Sequence, residues 1–221
     1  NPEVTAPGTV VPTVAARSTD TIKISWKKVK GATGYQVYRY DTKLKKYKQL
    51  KKTTKTTITD TKLTPGTSYA YKVRAYTVNG TKTIVGKVSK SVKAVTRPKT
   101  PQIVSVKKKG TNKADIKIRT VKNVKGYRLY EYMSATKKYK LIGKIEGKTY
   151  YKYNSKTKKF TRDTKSKVAV TTKKSAIQVT IRTANVNLKQ YRRYRYKVRA
   201  YVIYGGKTVF SGYSNVKILN R

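Results

Sequence analysis

The chain has no cysteine and no histidine, and only 8 of its 221 residues are acidic. Without cysteine there is no disulfide framework and no thiol chemistry. Without either residue, soft-metal sites lose their usual ligands and a Ser-His-Asp triad loses its base. The acidic side chains are Glu3, Asp20, Asp41, Asp60, Asp115, Glu131, Glu146 and Asp163, and no two are neighbours in sequence. General acid–base work or a paired-carboxylate glycosidase site would need two of them to converge. Calcium would need several oxygen ligands. A non-catalytic chain with no cofactor and no metal is therefore expected. No phosphate-cradling glycine loop and no Arg-Gly-Asp tripeptide occurs. No apolar run reaches transmembrane length and no signal-peptide pattern is present. The chain begins NPEVTAPG without Met, and is read as a monomeric fragment of a longer protein.

What the chain has in quantity is Tyr, Lys, Thr and Val. There are 20 Tyr against 2 Phe and 1 Trp, so tyrosine must do much of the apolar work. Thr, Val and Tyr favour strands, and no stretch carries a sustained 3.6-residue period. The expected class is all-β. The charge is extreme, with 55 Lys+Arg and a net +47. Such a surface repels itself, most strongly at low salt, and attracts polyanions.

A repeat organises the sequence. Leu63–Tyr76 reads LTPGTSYAYKVRAY, and Leu188–Tyr201 reads LKQYRRYRYKVRAY. Both copies end in YKVRAY, which sets two domains. Alternation puts Tyr69, Tyr71, Val73 and Ala75 on one face of a strand, and Ala70, Lys72, Arg74 and Tyr76 on the other. Further strands are expected over 10–16, 21–27, 35–40, 47–50, 56–59 and 88–96. Asn79-Gly80 marks a hairpin turn. The tracts from Lys43 to Lys55 and from Lys107 to Lys109 read mainly as solvated loops.

An inward Trp26 in TIKISWK, GYQV at Gly34–Val37, LTPGTSY at Leu63–Tyr69 and then YKVRAY resemble a fibronectin type III domain. The resemblance implies two tandem fibronectin type III-like (immunoglobulin-like) β-sandwiches. It covers about residues 8–97 for the first copy. It also implies a tyrosine corner at Tyr69, and at Tyr194 in the second copy, the hydroxyl bonding back to the chain just upstream. The cysteine-free, Tyr-, Lys- and Thr-rich composition is similar to that of modules in Gram-positive, clostridia-type surface or secreted proteins.

The expected organisation is a leader at 1–9, a first domain at 10–97, a linker at 98–101 and a second domain at 102–221. The second copy departs from the first. Thr120 stands where Trp26 was, so its core must be filled differently. Lys189–Arg193 replaces Thr64–Ser68. Tyr139 to Leu188 spans about 49 positions where Tyr47 to Leu63 spans about 16. The excess, at about 145–175, predicts an inserted β-hairpin with strands at Thr149–Tyr153 and Lys159–Arg162.

The resemblance also places the third and sixth strands side by side. Tyr38 and Tyr40 would then lie beside Lys72, Arg74 and Tyr76. In the second copy Tyr130 and Tyr132 would lie beside Arg195, Lys197, Arg199 and Tyr201. Tyr151, Tyr153 and Phe160 of the hairpin form another aromatic-basic cluster. Such faces offer rings for stacking and cations for sulfate, phosphate or carboxylate. The same residues also suit the solvent face of an ordinary sheet. The expected function is a non-catalytic extracellular or cell-surface adhesion module. Its partner would be an acidic polysaccharide, cell-wall polymer or host glycan, with nucleic acid bound only non-specifically. The alternative is a structural spacer in a larger surface protein or secreted enzyme.

Overall fold

The computed structural model describes residues 5–110, 113–170, 175–182 and 194–219. The chain divides into two compact units, Asn1–Arg97 and Pro98–Arg221. Among the described residues every regular element is a β-strand.

The first unit contains β1 (Thr13–Ala16), β2 (Ile22–Ser25), β3 (Gly34–Asp41), β4 (Lys46–Thr53), β5 (Thr57–Asp60), β6 (Ser68–Asn79), β7 (Lys82–Val85) and β8 (Val92–Val95). A 3-stranded sheet, β1-β2-β5, faces a 5-stranded sheet, β4-β3-β6-β7, in which β8 also pairs with β6. Period-2 alternation supplies the core between them: Ile22 and Ile24 from one sheet, and Tyr35, Val37, Tyr71, Val73 and Ala75 from the other. The first strand starts at Thr13 rather than at residue 10, and Val10 is nonetheless buried. The Asn79-Gly80 turn joins β6 to β7, with Asn79 opposite Lys82 and Gly80 at φ 58°. The closing strand is interrupted. Between β7 and β8 the Ser89 hydroxyl accepts the Val73 N–H at 2.9 Å, in place of a ladder bond.

The second unit contains β9 (Gln102–Lys109), β10 (Lys113–Arg119), β11 (Gly126–Met133), β12 (Lys138–Glu146), β13 (Thr149–Asn154), β14 (Lys159–Arg162), β15 (Lys167–Val170), β16 (Ala176–Arg182), β17 (Arg195–Tyr204), β18 (Lys207–Phe210) and β19 (Lys217–Ile218). One sheet runs β15-β16-β10-β9; the other is 7-stranded, β14-β13-β12-β11-β17-β18, with β19 also on β17. The hairpin expected at 149–162 forms as β13 and β14 and extends the larger sheet beyond β12. Its turn is held by the Asn154 Oδ1, which accepts the N–H groups of Lys156 and Thr157 at 2.9 and 3.1 Å. Beyond it, β15 joins the smaller sheet against β16. That strand was not legible in a short run with only two apolar residues on one face. The 107–109 tract is not a loop but the end of β9, where Lys107 pairs in register with Asp115 and Lys109 lies 3.3 Å from the Asp115 carboxylate. Likewise most of the 43–55 tract is β4.

Because the chain has 20 Tyr against 2 Phe and 1 Trp, nearly every buried ring brings a hydroxyl that must be satisfied. An unpaired buried hydroxyl costs about 1–3 kcal/mol. Tyr35 accepts the Val29 N–H at 2.9 Å and Tyr127 accepts the Val121 N–H at 2.7 Å. Tyr71 donates to Asp60 at 2.8 Å and Tyr196 to Glu131 at 3.0 Å. Tyr150 donates to the Ile142 carbonyl at 3.1 Å, its ring lying over Gly143. Where the first core packs Trp26 edge-on to Tyr35 at 5.3 Å, the second uses Val121 and Val124 near Tyr127.

Candidate functional site

The outward face of the larger sheet carries the sequence-derived candidates in both units. In the first unit β3 and β6 are adjacent, with Tyr38 opposite Lys72 and Gln36 opposite Arg74. Gln36 organises the centre. Its side-chain oxygen accepts both the Arg74 Nε–H at 2.7 Å and the Tyr38 hydroxyl at 2.9 Å. The Arg74 guanidinium then lies 5.6 Å from the Tyr38 ring centre, and the Lys72 ammonium 4.7 Å from that of Tyr47. Tyr40 meets Tyr47 edge-on at 5.3 Å. Such cation–ring contacts stabilise by about 0.5–1 kcal/mol each when exposed.

The second unit compresses more charge into the same place. Arg199, Arg128, Lys144 and Tyr151 follow one another across β17, β11, β12 and β13 as directly opposite residues. Like charges in that relation repel. Aromatic rings separate them. Phe210 sits 3.6 Å from the Arg199 guanidinium and 4.6 Å from that of Arg128. Phe160, from the inserted hairpin, lies 5.6 Å from Arg128 and 5.1 Å from Lys144. Tyr151 lies 4.8 Å from the Lys144 ammonium, and Tyr153 packs on Phe160 at 4.9 Å. The hairpin cluster and the sheet face are thus a single surface.

Further along, Lys197 lies between the rings of Tyr139 and Tyr213, at 4.2 and 3.8 Å. Arg199 donates its Nε–H to the Tyr130 hydroxyl at 2.9 Å. Arg195 covers the Tyr132 ring at 5.2 Å. Glu146 is the acidic member of the face: it bonds Lys144 at 2.9 Å and accepts the Tyr201 hydroxyl. Burial works to raise its pKa, but those bonds outweigh it and the carboxyl stays below its ordinary range.

Three expected contact residues are corrected. Tyr76, Tyr130 and Tyr201 lie on the outward side by alternation, yet they are 6%, 7% and 2% exposed. Tyr76 lies across Gly34, where no Cβ competes for the space, with the Lys52 ammonium 4.5 Å from its ring. Tyr201 takes the corresponding place by Gly126, beside Phe210 and Glu146. Tyr130 is enclosed by Arg199 and Tyr213. Alternation assigns a side, and neighbouring side chains then decide exposure. Tyr38, Tyr40, Lys72, Arg74, Tyr132, Lys197, Arg199, Tyr151, Tyr153 and Phe160 are partly exposed, and Arg195 is exposed.

At the corner, the Tyr69 hydroxyl accepts the Thr64 N–H at 2.8 Å. The backbone that a second corner at Tyr194 would use falls in 183–193, outside the described residues. Tyr194 itself packs against the second core.

Residues missed in the sequence include Gln36, Arg128, Lys144, Phe210 and Tyr213. Arg128 could have been found, since it alternates with Tyr130 on the same strand. Tyr213 could not, because it follows β18 in an irregular segment.

An open groove of about 670 Å3 lies at one end of the first unit, lined by residues that include Tyr40, Lys43, Lys48, Gln49, Ala70 and Lys93. Among the described residues no cluster of His, Cys, Asp and Glu has the makings of a metal site. Among the same residues no helix is long and apolar enough to cross a membrane.

Two facing antiparallel sheets with an outward cation–aromatic face define a β-sandwich module, repeated. Residues 6–90 match the family model of the fibronectin type III domain, and both units are fibronectin type III-like β-sandwiches. Among solved structures, the chain is similar to the 6th fibronectin type III domain of human fibronectin type III domain containing protein 3. That match has 22% identity over 43% of this chain and 91% of that one, with a TM-score of 0.37. It is also similar to a two-domain fibronectin type III segment from chicken tenascin, at 13% identity over 98% of this chain and 100% of that one, with a TM-score of 0.47. No curated protein matches the chain.

Proposed function

We propose that the chain is a non-catalytic binding module of an extracellular or cell-surface protein, bacterial by composition, that holds acidic polymers on its cation–aromatic faces. Fibronectin type III domains commonly serve as binding or spacer units, are generally non-catalytic and are typically extracellular. The observation that carries the proposal is the recurrence in both units of a predominantly cationic outward face, with Arg74 at Tyr38 in the first and Lys197 between Tyr139 and Tyr213 in the second. A net charge of +47 adds long-range attraction for any polyanion.

The test is an array of sulfated, uronate-bearing, phosphate-bearing and neutral polymers, probed with the whole chain at two salt concentrations. Binding should be confined to the anionic polymers and fall steeply with salt, because counterion release drives it. Joint replacement of Tyr38, Tyr40, Lys72 and Arg74 by Ala should weaken it. A blank array at about physiological salt sinks the proposal.

A second reading, a structural spacer, draws support from a specific feature. In the second unit Arg128, Lys197 and Arg199 are already stacked on rings of their own domain. A face whose cations are matched internally stabilises its sheet whether or not it has a ligand.

A further inference from the structure

We infer that the groove beside Tyr40 in the first unit is a site for one anionic saccharide ring, such as a uronate or sulfated sugar, and that the corresponding place in the second unit is closed by Arg195. The inference rests on the polyanion proposal and narrows it to one of the two units.

The two units offer an internal comparison. Aligned through GYQV and GYRL, and through the shared YKVRAY, Tyr40 corresponds to Tyr132, Tyr47 to Tyr139 and Ala70 to Arg195. The edge-on ring pair is the same in both, at 5.3 Å for Tyr40–Tyr47 and 5.3 Å for Tyr132–Tyr139. The difference lies on the neighbouring strand. Arg195 of β17 reaches over Tyr132, its guanidinium 5.2 Å from the ring centre. Ala70 of β6 ends at its methyl, and among the described residues no cation lies over Tyr40. The groove opens there, with Tyr40 and Ala70 both in its lining. Its volume of about 670 Å3 falls within the roughly 300–1,000 Å3 of small-ligand sites.

The lining specifies the ligand. Lys43 and Lys93 border the groove and have no ion-pair partner among the described residues. Lys48 lies 3.5 Å from the Asp41 carboxylate, which also accepts the N–H groups of Lys43 and Leu44. The one acid in the groove is thus spent on protein donors, and the balance favours an anion. Gln49 and Ser68 add an amide and a hydroxyl suited to sugar hydroxyls. A bound base would need a series of stacking platforms to extend along a strand. Here the other ring in the lining, Tyr69, packs against the core and carries the Arg39 guanidinium 6.0 Å from its centre, and Tyr47 lies outside the lining. One uncovered ring, cations at the rim and polar side chains fit a charged sugar better than a nucleic-acid strand.

The test uses the whole chain and three probes: a hexamer of a polyuronic acid, a neutral hexasaccharide and a single-stranded DNA hexamer. Ala70→Arg, which closes the groove as in the second unit, and Tyr40→Ala should each weaken hexauronate binding by about tenfold or more, the scale of one lost stacking platform. Tyr40→Phe should retain it. Arg195→Ala should uncover Tyr132 and raise the stoichiometry from one site towards two. Emission of Trp26, which sits in the first core, reports whether each first-unit variant is folded. If the chain binds hexauronate but neither folded Ala70→Arg nor Tyr40→Phe and Tyr40→Ala behaves as stated, the groove assignment falls and the broader polyanion proposal stands. If no acidic polymer binds at all, both fall. Equal binding of the neutral sugar, or DNA binding with the same response to Ala70→Arg, overturns the assignment to an anionic saccharide.

Discussion

Tyr196 donates its hydroxyl to Glu131 at 3.0 Å, and the same tyrosine of the repeat, Tyr71, donates to Asp60 at 2.8 Å. The two units therefore meet one demand, a partner for a buried phenol, with carboxylates from different strands. In the first unit Asp60 closes β5 and is also bound by Arg39 of β3 at 2.9 Å. In the second, Glu131 stands at the place of Arg39, and no cation among the described residues pairs with it. Burial raises the Glu131 pKa above its ordinary 4.5, partly offset by the Tyr196 bond.

Glu131→Gln tests the pH consequence. A carboxyl whose pKa is raised in the fold contributes fully below its ordinary value. The contribution is lost as pH rises through the folded pKa. Wild type should therefore lose stability relative to Glu131→Gln as pH increases above about 4.5, with little difference at pH values below that. The measurement is the pH profile of the unfolding transition seen by circular dichroism and absent from Trp26 emission. A constant difference between the two proteins across pH would refute it.

Asp60→Ala should destabilise the first unit by about 3 kcal/mol. Asp60 is 4% exposed and satisfies both Arg39 and Tyr71. Removing one member of a buried pair costs roughly 3–5 kcal/mol. The lower end applies because the Arg39 side chain is 37% exposed and can rehydrate. Urea titration followed by Trp26 emission measures it, and a loss under about 1 kcal/mol, the worth of a surface pair, would contradict it.

Gly34→Ala and Gly126→Ala should differ. A Cβ at Gly34 would meet the Tyr76 ring, a side chain that can swing outward. A Cβ at Gly126 would meet the Ile145 carbonyl of the paired strand, which cannot move without breaking the ladder. Overpacking costs about 1–3 kcal/mol. Gly126→Ala should fall at the top of that range and Gly34→Ala at the bottom, as read by thermal unfolding. The reverse order would show that the ring, not the backbone, is the stiffer neighbour.

Arg199→Lys tests whether the stacked cations hold the sheet together. The planar guanidinium packs on Phe210 at 3.6 Å and bonds Tyr130 at 2.9 Å. An ammonium keeps the charge but loses the plane and the fork. A loss of about 1 kcal/mol in the second unit is expected. A neutral result would assign these contacts no structural value and leave ligand binding as their use.

Much of this was legible in the chain itself. Alternation in TIKISWK, GYQVYRY and YKVRAY separates inward from outward residues, because a strand turns successive side chains to opposite faces. The repeat set the second sandwich, and the extra length between Tyr139 and Leu188 located the inserted hairpin. Composition alone removed cysteine and histidine chemistry. Which outward side chains remain open was decided only by packing across strands and between distant segments. Tyr76, Tyr130 and Tyr201 share the outward parity of Lys72 and Arg74 but are covered by neighbours that alternation does not identify. Phe160 and Phe210 stand between cations whose opposition depends on register. The contrast between Ala70 and Arg195 is written in the sequence, but it has meaning only because β6 lies beside β3, and β17 beside β11. Side-chain parity is a local property of the backbone, whereas exposure depends on every chain segment that arrives nearby.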